Sequence, residues 1–151
     1  MMRLSLLRSP KSPDANTDMG DHVFTYAVMP HKGTFQESEV IQQAYQLNYP
    51  MLVDYTSSGT LGYSFAKVSR KEIILESCMK SQIHSNAILV RLYESYGSSV
   101  EDVTISFPSL KIEKVNRCNT LEDLKGEVKV RGNSFTANFT PFQIKSFIVH
   151  V

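Results

Sequence analysis

SFTANFT, residues 134–140, sets Phe135, Ala137 and Phe139 on one side of the chain and Ser134, Thr136, Asn138 and Thr140 on the other. Strict alternation marks a half-buried β-strand, because successive side chains of an extended chain point to opposite faces. The same period recurs along the chain. Residues 143–151 set Ile144, Ser146, Ile148 and His150 against Lys145, Phe147, Val149 and Val151. Residues 103–107, VTISF, set Val103, Ile105 and Phe107 against Thr104 and Ser106. Residues 22–29, HVFTYAVM, carry Phe24, Tyr26 and Val28 on one face, and a first strand is expected from Arg3. Segments 73–80, 87–96 and 111–117 are rich in β-branched or aromatic residues. Turn signals separate them at Ser57-Ser58-Gly59, Gly97-Ser98-Ser99, Pro108-Ser109 and Gly132-Asn133. The expected fold is all-β, a two-sheet antiparallel β-sandwich.

One segment departs from the period of two. FQESEVIQQAYQLN, residues 35–48, brings Val40, Ile41, Ala44, Tyr45 and Leu47 near a 3.6-residue repeat, so one helix is expected there, packed over a sheet edge. Thr34 and Glu37 have the spacing of a capping box, and Tyr49-Pro50 ends the helix because a residue before proline avoids the α region. Residues 9–21, SPKSPDANTDMGD, lack periodicity and form a surface loop of the length that often carries function. The stretch 55–64 is also non-periodic and is the expected flexible place.

The chain has 151 residues, enough for one domain over 1–151. Sixteen Lys and Arg against fifteen Asp and Glu leave a net charge of +1, which argues against nucleic acid as a partner. No apolar run approaches the roughly 20 residues of a membrane span, so no membrane partner is expected. Cys78 and Cys118 are too few for a disulfide scaffold or a four-cysteine zinc site and fit a reducing compartment.

The motifs of unaided catalysis are missing: no P-loop, no G-x-S-x-G and no H-E-x-x-H occurs. His22, His31, His84 and His150 are scattered, so no metal ligands and no catalytic residues are assigned. The triplet Asn138-Phe139-Thr140 is a glycosylation sequon in mid-strand and is given little weight. Two groups of residues invite a role. Arg8, with Asp14 and Asp18 in the following loop, is a set able to hold sugar hydroxyls through charge-assisted hydrogen bonds; it could equally pair internally to fix the loop. In Arg91-Leu92-Tyr93-Glu94, Glu94 shares a face with Val90, Leu92 and Tyr96, while Arg91 shares one with Leu89 and Tyr93. A carboxylate on an apolar face must be satisfied, so Arg91 and Glu94 are expected to be structural anchors.

These residues also carry a resemblance. LLRSP (6–10), the element Asp18-Met19-Gly20-Asp21-His22, FTYA-x-MPHKG (24–33), RLYE (91–94) and the closing FTPFQIKSF (139–147) occur in one order and spacing. In this the chain resembles the C-terminal domain of glycoside hydrolase family 38, the class II α-mannosidases, and most nearly its cytosolic, neutral animal type. The resemblance runs from about Arg3 to Val151. It implies a fragment of a larger cytoplasmic enzyme, with a first strand that begins as if cut from a longer chain. The partner would be the catalytic domain of the same polypeptide, and the substrate a mannose-containing oligosaccharide. Such enzymes are retaining α-mannosidases that work through a covalent mannosyl-enzyme intermediate and use zinc or cobalt, with nucleophile and metal ligands in the N-terminal domain. None of those motifs occurs here, so the chain is expected to hold no cofactor and to support or rim the catalytic domain. Arg8, Asp14 and Asp18 would face the rim. A rival expectation is an autonomous carbohydrate-binding module. Its absence of Trp and of a spaced tyrosine trio (among Tyr45, Tyr49, Tyr55, Tyr63, Tyr93 and Tyr96) counts against it.

Overall fold

Strand character in this chain follows the pairs of residues that can be buried together. The computed structural model describes residues 1, 3–55, 59 and 62–151. The turn expected at Ser57-Ser58 and part of the stretch 55–64 lie outside the described residues. Two compact units are distinguished, Met1–Val40 and Ile41–Val151.

Among the described residues, the second unit holds one helix, α1 (Val40–Asn48, begun by the last residue of the first unit), and nine strands. They are β1 (Lys67–Val68), β2 (Ile73–Lys80), β3 (Ala87–Glu94), β4 (Val100–Ser106), β5 (Lys114–Cys118), β6 (Leu124–Val128), β7 (Val130–Arg131), β8 (Ser134–Phe139) and β9 (Ile144–His150). One sheet has the order β1-β4-β8-β7 and the other β2-β3-β9-β5-β6, with every pairing antiparallel. This is the expected two-sheet sandwich. Its core joins Val100, Val103, Ile105, Phe135 and Phe139 of one sheet to Ile73, Val90, Leu92, Val115, Phe147 and Val149 of the other. Phe135 and Phe147 meet across it with ring centroids 4.9 Å apart. Beyond the transfer of apolar area, such an aromatic pair adds about 0.5–1.5 kcal/mol.

The register explains which positions alternate. Val90 lies opposite Phe147 and Leu92 opposite Lys145, with Val90, Leu92 and Phe147 in the core and Lys145 half-buried. Leu89 faces Ile148 on the outer side, where Ala87, Leu89, Cys118 and Ile148 form a second, smaller buried cluster. Strand β9 is central, with Phe147, Ile148 and Val149 buried in succession, because both faces of its sheet are covered there.

Three expectations are corrected. Residues 22–29 and the segment from Arg3 belong to no strand. A strand persists only as a member of a sheet, and among the described residues the first unit supplies none. The helix begins at Val40, later than residue 35. The capping box does form, with Thr34 N donating to Glu37 Oε2 at 2.9 Å and Glu37 N to Thr34 Oγ1 at 3.4 Å, but it closes a separate turn. Ser38 then takes over the cap: its hydroxyl donates to the Phe35 carbonyl and accepts from Val40 N, the geometry of an N-cap two residues before the acceptor's partner. The helix stops at Asn48, as the Tyr49-Pro50 pair dictates. Finally, 111–113 is not strand, whereas β1, β6 and β7 arise without alternation.

Helix α1 seats at the β2–β3 end of the five-stranded sheet. Tyr45 Oη lies 2.7 Å from Tyr93 Oη, and Gln42 donates to the Lys71 carbonyl at 3.3 Å, two residues before β2. Burial, with the Tyr93 hydroxyl beside it, drives the Tyr45 phenol well above its ordinary pKa.

Candidate functional site

The most completely buried ionisable group of the sandwich is Glu94, fully withdrawn from solvent at the end of β3. Its face was legible; its partners come from two turns. Oε1 accepts from Tyr96 N at 2.8 Å and Ser98 Oγ at 3.2 Å. Oε2 accepts from Gly97 N at 2.8 Å and from Phe142 N at 2.9 Å. The carboxylate thus ties the β3–β4 turn to the β8–β9 turn. Burial pushes its pKa up, but the main-chain hydrogen bonds from Phe142, Tyr96, Ser98 and Gly97 outweigh that and hold it below the ordinary value. An ionised carboxylate with its lone pairs filled by N–H groups is a structural anion. It has no proton to give and no room to receive substrate.

Arg91 lies on the opposite face of β3, as its position three residues from Glu94 requires. Its Nε donates to Ser146 Oγ at 3.1 Å across the β3–β9 pair. Arg91 and Glu94 thus make their hydrogen bonds to separate partners and not to one another.

A second polar cluster was not legible in the sequence. Ser81, between β2 and β3, donates its hydroxyl proton to the buried Glu122 carboxylate. Glu122 also accepts from Gln82 N at 3.3 Å. The Ser81 hydrogen bond pulls the Glu122 pKa down, against the opposing effect of burial. His84 donates from Nε2 to the Glu122 main-chain carbonyl at 3.1 Å, and its ring meets that of His150 edge-on at 6.0 Å. Serine, histidine and glutamate are together, but not as a hydrolytic triad. It is the histidine main-chain N–H that donates to Ser81 Oγ, at 2.9 Å, while the imidazole Nε2 is engaged by the Glu122 carbonyl. The three link the β2–β3 connection to the β5–β6 connection. Ser81 and Glu122 lie 41 positions apart on non-periodic segments, and beside Glu122 the Asn119 side chain accepts from Leu121 N and Asp123 N.

The loop after Arg8 is held by itself. Asp14 Oδ1 accepts from Asn16 N at 2.9 Å, and the Asp14 carbonyl accepts from Thr17 Oγ1 at 2.9 Å. Asp18 sits at φ 55°, and its carbonyl accepts from His22 Nε2 at 2.8 Å. Arg8, Asp14 and Asp18 are all exposed, and among the described residues no ion pair joins Arg8 to either aspartate. Asn138 has its side chain occupied, with Oδ1 accepting from Asp102 N at 2.9 Å. Among the described residues no three His, Cys, Asp or Glu stand together as a metal site. Cys78 and Cys118 are unpaired thiols, both pushed up in pKa by burial. An open cleft of about 420 Å³ is lined by Phe65, Cys78, Lys80, Asn86, Ile88 and Val151 among others, with no acid–base pair in it.

The fold defines the class, a two-sheet antiparallel β-sandwich, and its buried carboxylates Glu94 and Glu122 are both occupied by turn and loop donors. Residues 73–147 match the model of the glycosyl hydrolases family 38 C-terminal beta sandwich domain. The chain is 40% identical over 156 residues to Alpha-mannosidase 2C1 of Mus musculus and 39% identical over 155 residues to its Homo sapiens counterpart. Each alignment takes in 99% of this chain and 15% of the relative. Alpha-mannosidase G of Dictyostelium discoideum is 35% identical over 150 residues, covering 95% of this chain and 14% of its own. The chain belongs to glycosyl hydrolase family 38 and contains its C-terminal β-sandwich. It spans about 15% of the length of the mannosidases it matches.

Proposed function

We propose that this chain is the non-catalytic C-terminal β domain of a retaining α-mannosidase that removes terminal α-mannose from free oligomannosides. The observation that carries this is alignment over 99% of the chain with proteins named Alpha-mannosidase 2C1. The domain's partner is the catalytic domain of the same polypeptide, which supplies nucleophile, acid and metal. Its own part is mechanical: the Glu94 tie and the Ser81–Glu122 cluster fix the turns at which the sandwich can present a stable surface. A cytosolic setting is supported by the two unpaired cysteines. Among the described residues, no helix is long and apolar enough to cross a membrane.

Arg8 and its loop belong to the face that rims the substrate cleft. The exposure of Arg8, Asp14 and Asp18 supports this, since a rim donor must be free to meet a sugar hydroxyl. The test of the accessory role is the 151-residue chain assayed alone with an aryl α-mannoside. No turnover and no stoichiometric zinc or cobalt after dialysis are expected. Turnover that survives purification would overturn it.

A further inference from the structure

Residues 22–29 have the sequence of a strand and, among the described residues, take part in no β-ladder. They are bounded as a strand would be. Before them the chain turns, with Thr17 N donating to the Asp14 carbonyl at 3.4 Å and Met19 N to the Asn16 carbonyl at 3.3 Å, and Gly20 at φ 132°. After them stands Pro30, which lacks the N–H a ladder needs. Between these limits Val23 is 96% exposed, Tyr26 66% and Val28 74%, with Phe24 and Met29 above 40%. So much apolar surface on one short segment marks an interface. Its distribution is informative. Phe24, Tyr26 and Val28 occupy one face, and Val23, Ala27 and Met29 the other. A strand apolar on both faces belongs inside a sheet covered on both sides, not on a solvated edge.

The family's sandwich match covers 73–147 and leaves this segment outside, yet relatives align with 99% of the chain, of which they hold more than six times the length. We propose that residues 22–29 form a strand of a β-sheet whose other strands come from the parent polypeptide beyond this chain. This rests on the mannosidase reading above. The first unit would then be an arm that fastens the C-terminal sandwich to its neighbour by main-chain hydrogen bonds, with Phe24, Tyr26 and Val28 filling that neighbour's core. A second copy of the chain is a poorer occupant. Two such segments paired together make only a two-stranded ribbon, which leaves one or both faces wet.

Amide hydrogen exchange of the peptide spanning 22–29 tests this, measured in the protein purified from its source and in the 151-residue chain alone. Exchange slowed by roughly a hundredfold or more is expected in the intact protein, and near-free exchange in the chain alone. Tyr26→Pro in the intact protein should restore fast exchange there, since proline removes an amide from the ladder. Free exchange in a long native polypeptide would overturn the inference alone. Protection in the 151-residue chain would also overturn it, by pairing with its own sandwich if independent of concentration and with a second copy if not. A native polypeptide no larger than 17.1 kDa would overturn the inference and the mannosidase reading together.

Discussion

The carboxylate of Glu94 accepts the main-chain N–H of Phe142 at 2.9 Å, joining two turns that lie 48 positions apart in the chain. Removing that carboxylate strands several donors away from water. Glu94→Ala should therefore cost about 3 kcal/mol or more, read from the shift of a urea unfolding midpoint at constant slope. Glu94→Gln keeps the volume but points an amide N–H₂ at other donors, and should recover little. A loss below about 1 kcal/mol for Glu94→Ala would show that the tie does not hold the turns.

The same group gives the sandwich an acid limit. The Glu94 and Glu122 pKa values are both lowered on folding, so each contributes stability that is present in full above the unfolded value and lost as pH falls through the folded one. Stability measured from pH 7 downward should stay level until about the ordinary 4.5 of a glutamate and then fall. Glu94→Gln should be less stable at pH 7 and fall less steeply below 4.5. Parallel curves for the two proteins would contradict this.

Gly97 stands beside this tie at φ 75°, and a Cβ there would lie 2.7 Å from Phe142 Cζ. Gly97→Ala combines a left-handed backbone with a ring clash and should cost about 1–3 kcal/mol. Adding Phe142→Ala should relieve the clash and leave the backbone penalty of about 1–2 kcal/mol. Additive losses in the double variant would show that the ring does not limit this position.

Much of this architecture was written in the alternation. Strand β8 reads correctly because Phe135 and Phe139 are buried in the core while Thr136 and Asn138 are exposed, so its sequence period is its burial period. Strand β6, LKGEV, escaped notice because it is an exposed edge with Gly126 at its centre and has no buried face to print a period. Residues 22–29 show the reverse, a period with no sheet to answer it. The face of Glu94 followed from β3, but its donors did not: main-chain N–H groups of distant turns leave no mark on residue type. The Ser81–Glu122 pair was hidden for the same reason, since loops that close on each other carry no spacing rule.

Arg8 is the residue on which a substrate role can be decided. If it donates to a sugar hydroxyl from the cleft rim, Arg8→Ala in the intact enzyme should lower kcat/KM on the order of ten- to a hundredfold, as loss of a charge-assisted hydrogen bond worth about 1.5–3 kcal/mol requires. Its thermal stability should change little, because Arg8 is exposed and no ion pair is seen at it among the described residues. Unchanged kcat/KM, or a lower melting temperature with full activity per folded molecule, would remove it from the rim.

The central claim is that this sandwich works as part of a much larger α-mannosidase. The most direct measurement is to tag the chain at its native locus, capture the protein, and determine both its mass and its activity on an aryl α-mannoside. A polypeptide several times 17.1 kDa that releases the aryl group, and retains the anomeric configuration of the sugar, is the expected result. A captured polypeptide of 17.1 kDa without mannosidase activity would contradict the claim.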